Sequence, residues 1–445
     1  MQTTKIFLMA ALALMTAACS NNDNDIQTPA EQPAKSEGIP FTATISMGES
    51  ASTRALTENG TTIEATWATG EKVALIYTVG STTYLKEAEV TPQAGGTATI
   101  STTLEGSPAD DTDVTIVYPV SAVDVTTKDV KTGLQDLQNG LLTGTGSIAE
   151  NYELRKTTTP AKLKIDGTTA SLKGTVSLTN LNAIFKFTLQ DLNAAAKSAT
   201  EFKVSANSGY VITTVKPGSA SGVLYVALPA MAGTYWFNAT IDSKPYIAKA
   251  TIATATVAGK YYQTTVKMAT IGDVIKSDGK FYAAGTDGAV AKIVYVGSDN
   301  GEAAPYNHGL ALALSDANDG NTCLWSTSST KVHTYSPTSS SFESESGLQY
   351  NATQNSAKYP AFQAAIANNG TAAPTGCSSW FLASGYQWQK MFGAAGLSNL
   401  GLQEHAPYWS STEDNAAAWN FGSNNGKWEF NSKGYDFQVR ACLAF

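Results

Sequence analysis

A chain of 445 residues has room for roughly two to four domains, each able to bury a core of its own. Only 15% of its residues are charged, the net charge is -8, and Lys and Arg form no cluster, which excludes a nucleic-acid partner because neutralising phosphates takes grouped cations. Thr, Ser, Gly and Ala are abundant, with Val and Tyr well represented, a balance that suits all-β extracellular modules.

In chain order, residues 1–18 read as a secretory signal peptide: Lys5, an apolar run from Ile6 to Met15, then the small residues Ala17-Ala18. The run is too short to cross a bilayer, and no later run approaches the ~20 apolar residues that a spanning helix needs. Cys19 follows directly, and the junction resembles a bacterial lipobox, which implies diacylation of Cys19 and anchoring to the outer membrane. The alternative is an unmodified cysteine behind an ordinary cleavage site. Residues 19–38 form a tether. Its Ser20-Asn-Asn-Asp-Asn-Asp25 run resembles the acidic tethers of surface-exported lipoproteins, and Gln27 to Gly38, with Pro29 and Pro33, has no apolar periodicity.

Phe41, Ala43, Ile45 and Met47 alternate with Thr42, Thr44 and Ser46, the period-two signature of a strand with one buried face, expected at a sheet edge. Gly48 to Ala55 then runs through small polar residues to a single basic side chain, Arg54, as an exposed loop offers a trypsin-like protease. Cleavage there would leave an apolar groove and unpaired backbone groups, which another chain's strand could fill. An ordinary first strand followed by an ordinary surface Arg is the other reading. Short strands follow at Thr62–Trp67, Lys72–Tyr77, Glu89–Pro92, Thr97–Leu104 and Asp113–Tyr118, punctuated by turn glycines and Pro108. A second series begins near Gly174, with Val176–Leu178, Ala183–Leu189, Glu201–Ser205, Val223–Leu228, Gly233–Ile241 and Tyr261–Met268. Two consecutive β-sandwiches, 39–165 and 166–270, are the economical arrangement.

Phe41-Thr-Ala-Thr-Ile45, the Thr53-Arg54-Ala55 junction and Trp67 to Leu75 together resemble the N-terminal half of the fimbrillin family, the lipoprotein precursors of type V pili. The resemblance covers about Cys19 to Met268. It implies tandem transthyretin-like sandwiches, removal of the first strand after Arg54 with Ala55 as the mature start, and donor-strand exchange with other pilus subunits. Pilin shafts of that family end in their donor strand, whereas this chain continues past Met268 with a different composition.

Residues 271–445 read as an α+β module, with strands at Ala291–Val296, His308–Leu314 and from Tyr408 to Phe445, and helical spacing over Tyr359–Ala367 and Gly385–Ala395. Gly376 to Trp388, Tyr408-Trp-Ser-Ser-Thr-Glu413 and Val439-Arg-Ala-Cys442 resemble the lectin-like C-terminal domains of bacterial surface proteins, among them the FISUMP and Legionella-type collagen-like-protein C-terminal families, whose fold is similar to C-type lectins. Ala383 stands where those families usually have Pro. The whole chain is therefore expected to be mainly β: two tandem transthyretin-like sandwiches followed by a C-type-lectin-like domain.

The three His residues show no metal-binding spacing and no Gly-x-Ser-x-Gly elbow occurs, so no catalytic residue is assigned and an enzyme is not expected. C-type lectins often bind sugar through calcium, and Glu404, Glu413, Asp414, Asn415 and Asn420 cluster near the corresponding loop. Trp419-Asn420 resembles the Trp-Asn-Asp motif of that fold, with Phe421 in place of the acid. A calcium-assisted ligand site and a solvated acidic loop both fit. Tyr306, His308, His405 and Tyr408, beside Gly or Pro turns, are expected on surface loops that could contact a ligand. Trp409 and Trp419 are expected in the core. Cys323, Cys377 and Cys442 allow one disulfide and one free thiol, with the pairing undetermined. Two functions stand beside a third reading, an accessory anchor subunit that keeps its tether and lipid at the fibre base. One is a pilus-tip adhesin that binds a host or bacterial glycan or protein. The other is a monomeric, lipid-anchored surface glycan-binding protein that is never cut.

Overall fold

The computed structural model describes residues 38–47, 57–60, 62–64, 67–130, 137–332, 342 and 344–445. The signal peptide, Cys19, the tether and the Arg54-Ala55 junction lie outside them. The fold is mainly β.

Strand β1 (Ile39–Ser46) takes the form its alternation dictates: Phe41, Ala43 and Ile45 point inward, followed by Met47, and the Thr side chains between them face out. Further strands are β2 (Lys72–Val79), β3 (Thr82–Pro92), β4 (Thr97–Leu104), β5 (Asp113–Tyr118), β6 (Ala161–Asp166) and β7 (Thr169–Leu172). Their spatial order is β6-β7-β1-β4-β3-β2-β5, and β5 pairs back onto β6 through Ala161↔Val114, closing a barrel. The expected edge position of β1 is thus corrected. It pairs antiparallel with β4 along its whole length, from Ile39↔Leu104 to Ser46↔Thr97. On its other side it runs parallel to β7 at Phe41↔Ala170 and to Val176–Ser177 at Ile45↔Val176. The reason is that Thr169–Ser177 doubles back along β1. The strand at Val176 therefore belongs to this first sheet, which extends to Asn180, past the boundary at 165.

The second sheet contains β8 (Ala183–Asp191), β9 (Glu201–Ala206), β10 (Val211–Val215), β11 (Val223–Leu228), β12 (Gly233–Ile241), β13 (Lys244–Ile252) and β14 (Tyr261–Thr270). Its order is β11-β8-β14-β13-β12-β9-β10, ending on Leu137–Gln138. Its core is aromatic: Phe187 lies 5.3 Å from Phe202 and 5.5 Å from Phe237 between ring centroids.

Residues beyond Thr270 build a six-stranded sheet. It includes β15 (Ala289–Val296), β16 (Gly309–Ala313) and β17 (Ala441–Ala444), with β17 held between β16 and Phe381–Leu382. A separate three-stranded sheet spans Pro407–Asp414, Ala417–Gly422 and Trp428–Ser432. Helices at Pro360–Ala367 and Gly385–Ala395 fall on the expected segments. The second starts at a capping box in which Ser384 accepts from the Gln387 backbone N–H and the Gln387 side chain accepts from Ser384 N–H. Trp409 and Trp419 are both buried.

Candidate functional site

The groove that β1 fills is the most completely built feature of the first barrel. Phe41, Ile45 and Met47 are 1%, 0% and 2% exposed and pack on Val73, Leu75, Ile100, Leu163 and Leu178. Burying such side chains stabilises by about 1.5–3 kcal/mol apiece. At the far end of β1, the Ser46 hydroxyl lies 2.8 Å from the Ser177 hydroxyl, and Ser46 O accepts from Leu178 N–H at 2.8 Å. Beneath that end sits a buried polar cluster. Arg155 directs Nε and Nη2 at Glu153 Oε1, each at 2.8 Å, and donates from Nη1 to Met47 O at 2.6 Å. Close by, Tyr118 donates to Glu71 Oε1 at 2.8 Å. Burial pushes the Glu153 carboxyl up to about 7 against the pull of Arg155.

Just downstream of the Arg54 junction, Glu58 is fastened to the second sheet. Its carboxylate accepts from Lys186 Nζ at 2.6 and 2.8 Å, Tyr225 OH at 2.6 Å and Tyr261 OH at 3.1 Å. The Lys186 ammonium holds that carboxyl below the usual range. Neither Arg155 nor Glu58 was singled out from the sequence. Each is one charged residue in a short polar stretch, and only the fold brings Met47 to Arg155 and Lys186, Tyr225 and Tyr261 to Glu58, all more than a hundred positions away.

The residues expected to form a ligand surface do not converge. Glu404, His405 and Asn415 are exposed, the last two with left-handed backbone at φ 60° and 55°. Glu404 and His405 line a shallow depression with Leu397, Leu402 and Asn424. Tyr306 is half-buried, and its carbonyl accepts from Asn300 at 2.8 Å. Four others are corrected from surface to interior. Tyr408 is buried, donates to Asp316 Oδ2 at 2.9 Å and accepts from Gln403 N–H. Glu413 is buried in an ion pair with Lys433. Asn420 is buried and accepts from Asn431 Nδ2 at 2.8 Å. His308 is 4% exposed, and burial lowers its imidazole to about 4. Asp414 is half-buried, 3.5 Å from Lys331.

Among the described residues no three His, Cys, Asp or Glu side chains are placed to share a metal ion. Cys323, Cys377 and Cys442 are free thiols in this structure, where one disulfide among them was the expectation. Cys442 packs with Trp388 and Met391 on one side of the six-stranded sheet, while Cys323 and Cys377 border the core cluster on the other.

The third module is joined to the second sheet through Trp236 on β12. Its ring stacks on His308 with centroids 4.1 Å apart, neighbours Phe445 at 6.2 Å and lies 4.8 Å from Lys249 Nζ, while its N–H donates to Asn207. Ile247, Ala269, Ile275, Ile293 and Leu443 complete one continuous apolar cluster.

No protein-family model and no curated protein matches the chain. Among solved structures, a fimbrial protein from Bacteroides ovatus matches at 13% identity over 92% of this chain and 99% of its own, with a TM-score of 0.29. A fimbrial assembly protein from Parabacteroides distasonis matches at 13% identity over 51% and 90%, TM-score 0.30. A Bacteroides uniformis protein described as a candidate cell adhesion protein matches at 14% over 54% and 98%, TM-score 0.31. At these identities and scores the likeness decides nothing about role, and the fold rests on the strand order and register given above.

Proposed function

We propose that this chain is a subunit of a surface fibre, exported as a lipoprotein, in which β1 is a placeholder removed by a trypsin-like protease after Arg54 and replaced by a strand from a neighbouring pilus subunit. The observation that carries this is the groove itself. One eight-residue strand fills a complete apolar slot between an antiparallel wall and a parallel wall, and is followed by the single basic residue Arg54. Two further strands bear on its place in the fibre. β14 pairs with β8 from Tyr261 to Met268 and with β13 at Ala269 and Thr270, and β17 lies between β16 and Phe381–Leu382, so both are used inside their own sheets. A subunit that accepts a strand and gives none belongs at a fibre tip, with residues after about Gly272 as the adhesive part toward a glycan or protein ligand.

Replacing Arg54 with Ala is expected to leave the precursor untrimmed and absent from fibres, read by immunoblot of cell and fibre fractions. Trimmed Arg54→Ala protein in fibres would overturn the proposal. The pairing of β1 on both sides favours a second reading, a lipid-anchored surface protein that keeps its first strand. Under that reading the same variant would behave as the parent does, and protein from cells would begin at a lipidated Cys19.

A further inference from the structure

A cleft of about 240 Å³ lies between the outer face of the second sheet and the third module, built by residues 201–308 and so separate from the groove of β1. On one wall Lys203 of β9 is paired directly across to Asn238 of β12, with Glu201 beside them. The other wall is Asn307 and His308, just before β16. The main chain there is fixed at three points: Tyr306 O accepts from Asn300 Nδ2, His308 N–H donates to Phe445 O at 2.8 Å, and His308 O accepts from Gly297 N–H at 2.9 Å. The Asn307 amide sits so close to the turn at Gly209 that a Cβ on that residue, whose φ is 83°, would lie 2.6 Å from Nδ2. Two neighbouring polar atoms are left over. Asn307 Oδ1 and His308 Nε2 are covered, yet find no hydrogen-bond partner among the described residues. Folded proteins seldom leave such atoms unsatisfied, because their lost hydration goes uncompensated. Asn307 as a whole is only half-buried and the Asn χ2 torsion is broad, so its carbonyl can turn to meet a donor in the cleft.

The lining decides the class of ligand. Both oxygens of Glu201 are taken by lysines, Lys203 at 2.6 Å and Lys216 at 3.1 Å, so neither that carboxylate nor Lys203 is a lone charge awaiting a counter-ion. The amides of Asn238 and Asn307 each offer a donor end and an acceptor end, which suits hydroxyls, themselves both donor and acceptor. Val211, Pro245 and Tyr246 add an apolar wall against which the C–H face of a sugar ring can lie. The volume falls below the range for drug-sized ligands, about 300–1,000 Å³, and fits a single ring. We propose that this cleft binds one neutral sugar ring, the end unit of a glycan chain, held by the Asn238 and Asn307 amides. The inference rests on the adhesive reading and gives its ligand class, and it extends the adhesive contact from the third module to its junction with the second sheet.

The test titrates the purified full chain by ligand-observed NMR with methyl β-galactoside, methyl α-mannoside, methyl α-fucoside and methyl N-acetyl-β-glucosaminide. Glucose 6-phosphate serves as the charged probe, and the same chain is run over a glycan array. At least one glycoside is expected to bind saturably with a Kd of about 1 mM, the scale for a ligand of about a dozen non-hydrogen atoms, and glucose 6-phosphate is not. Asn238→Ala and Asn307→Ala should each weaken that binding, and the array signal with it, about tenfold, as loss of a hydrogen bond implies. Glu404→Ala, in the other depression, should leave both unchanged. If Asn307→Ala melts below the parent, Asn238→Ala, half-buried on the outer face of β12, still carries the test. Tighter binding of glucose 6-phosphate than of every glycoside would make the ligand an anion and refute the inference. Sugar binding that survives both variants refutes it while the adhesive reading stands. A parent silent in the titration and on the array refutes it too, and removes the glycan from the adhesive reading.

Discussion

Replacing Ile45 with Asp is expected to cost the chain more than 4 kcal/mol, seen as loss of the cooperative unfolding transition or failure to express as folded protein. Ile45 is fully buried, paired across to Ala98 on one side and Val176 on the other, inside an apolar cluster. A carboxylate there loses the apolar burial of Ile and must either sit unpaired in the core or take up a proton, and both routes are costly. The neighbouring Thr44 supplies the control. It lies on the outer face opposite Thr99, so Thr44→Asp should change stability by no more than about 0.5 kcal/mol. Similar effects at the two positions would mean that the alternation of β1 is misassigned.

Trp236→Ala is the second large effect, expected at about 3–5 kcal/mol, the range for deleting a fully buried aromatic. The indole is shared by two parts of the molecule. It closes the outer side of the second sheet, stacks on His308 and neighbours Phe445 from the third module, and its N–H donor is satisfied by Asn207 at 3.1 Å. Truncation opens a cavity at that junction, leaves His308 uncovered and frees Lys249 from the ring face. Denaturant unfolding should show the loss, and limited proteolysis should cut faster in the 271–288 connection than in the parent. A loss under 1 kcal/mol with unchanged cleavage would show that Trp236 does not hold the junction.

How much of this was legible in the residues depended on whether a segment has one buried face. β1 and β8 alternate cleanly and were readable, as were the helices at Pro360–Ala367 and Gly385–Ala395, with their 3.6-residue spacing. β13 was missed because Lys244-Pro-Tyr-Ile-Ala-Lys-Ala-Thr-Ile252 opens on Lys-Pro and is weakened by alanines, and what holds it is nine-residue pairing with β12. β3 was read only at its end, since Thr82 to Glu87 is a polar ribbon held by its hairpin with β2. The strand Gly309–Ala313 is buried on both faces, so nothing in its pattern tells which way the adjoining His308 points, and the fold buries that residue where a surface loop is expected. Tyr408 beside Pro407 failed likewise: a turn residue marks where the chain bends and says nothing about which side chain is covered. The charged contacts of Arg155 with Met47 and of Glu58 with Lys186 join residues 108 and 128 positions apart, a distance at which a single sequence carries no signal.

The N-terminal residue of this protein in isolated surface fibres, determined by mass spectrometry, puts the exchangeable strand to its most direct trial. Strand replacement predicts chains that begin at Ala55, with no peptide covering Phe41 to Met47. Fibre-borne chains that still carry those residues, or protein found only as a lipidated Cys19 form in the membrane, would contradict it.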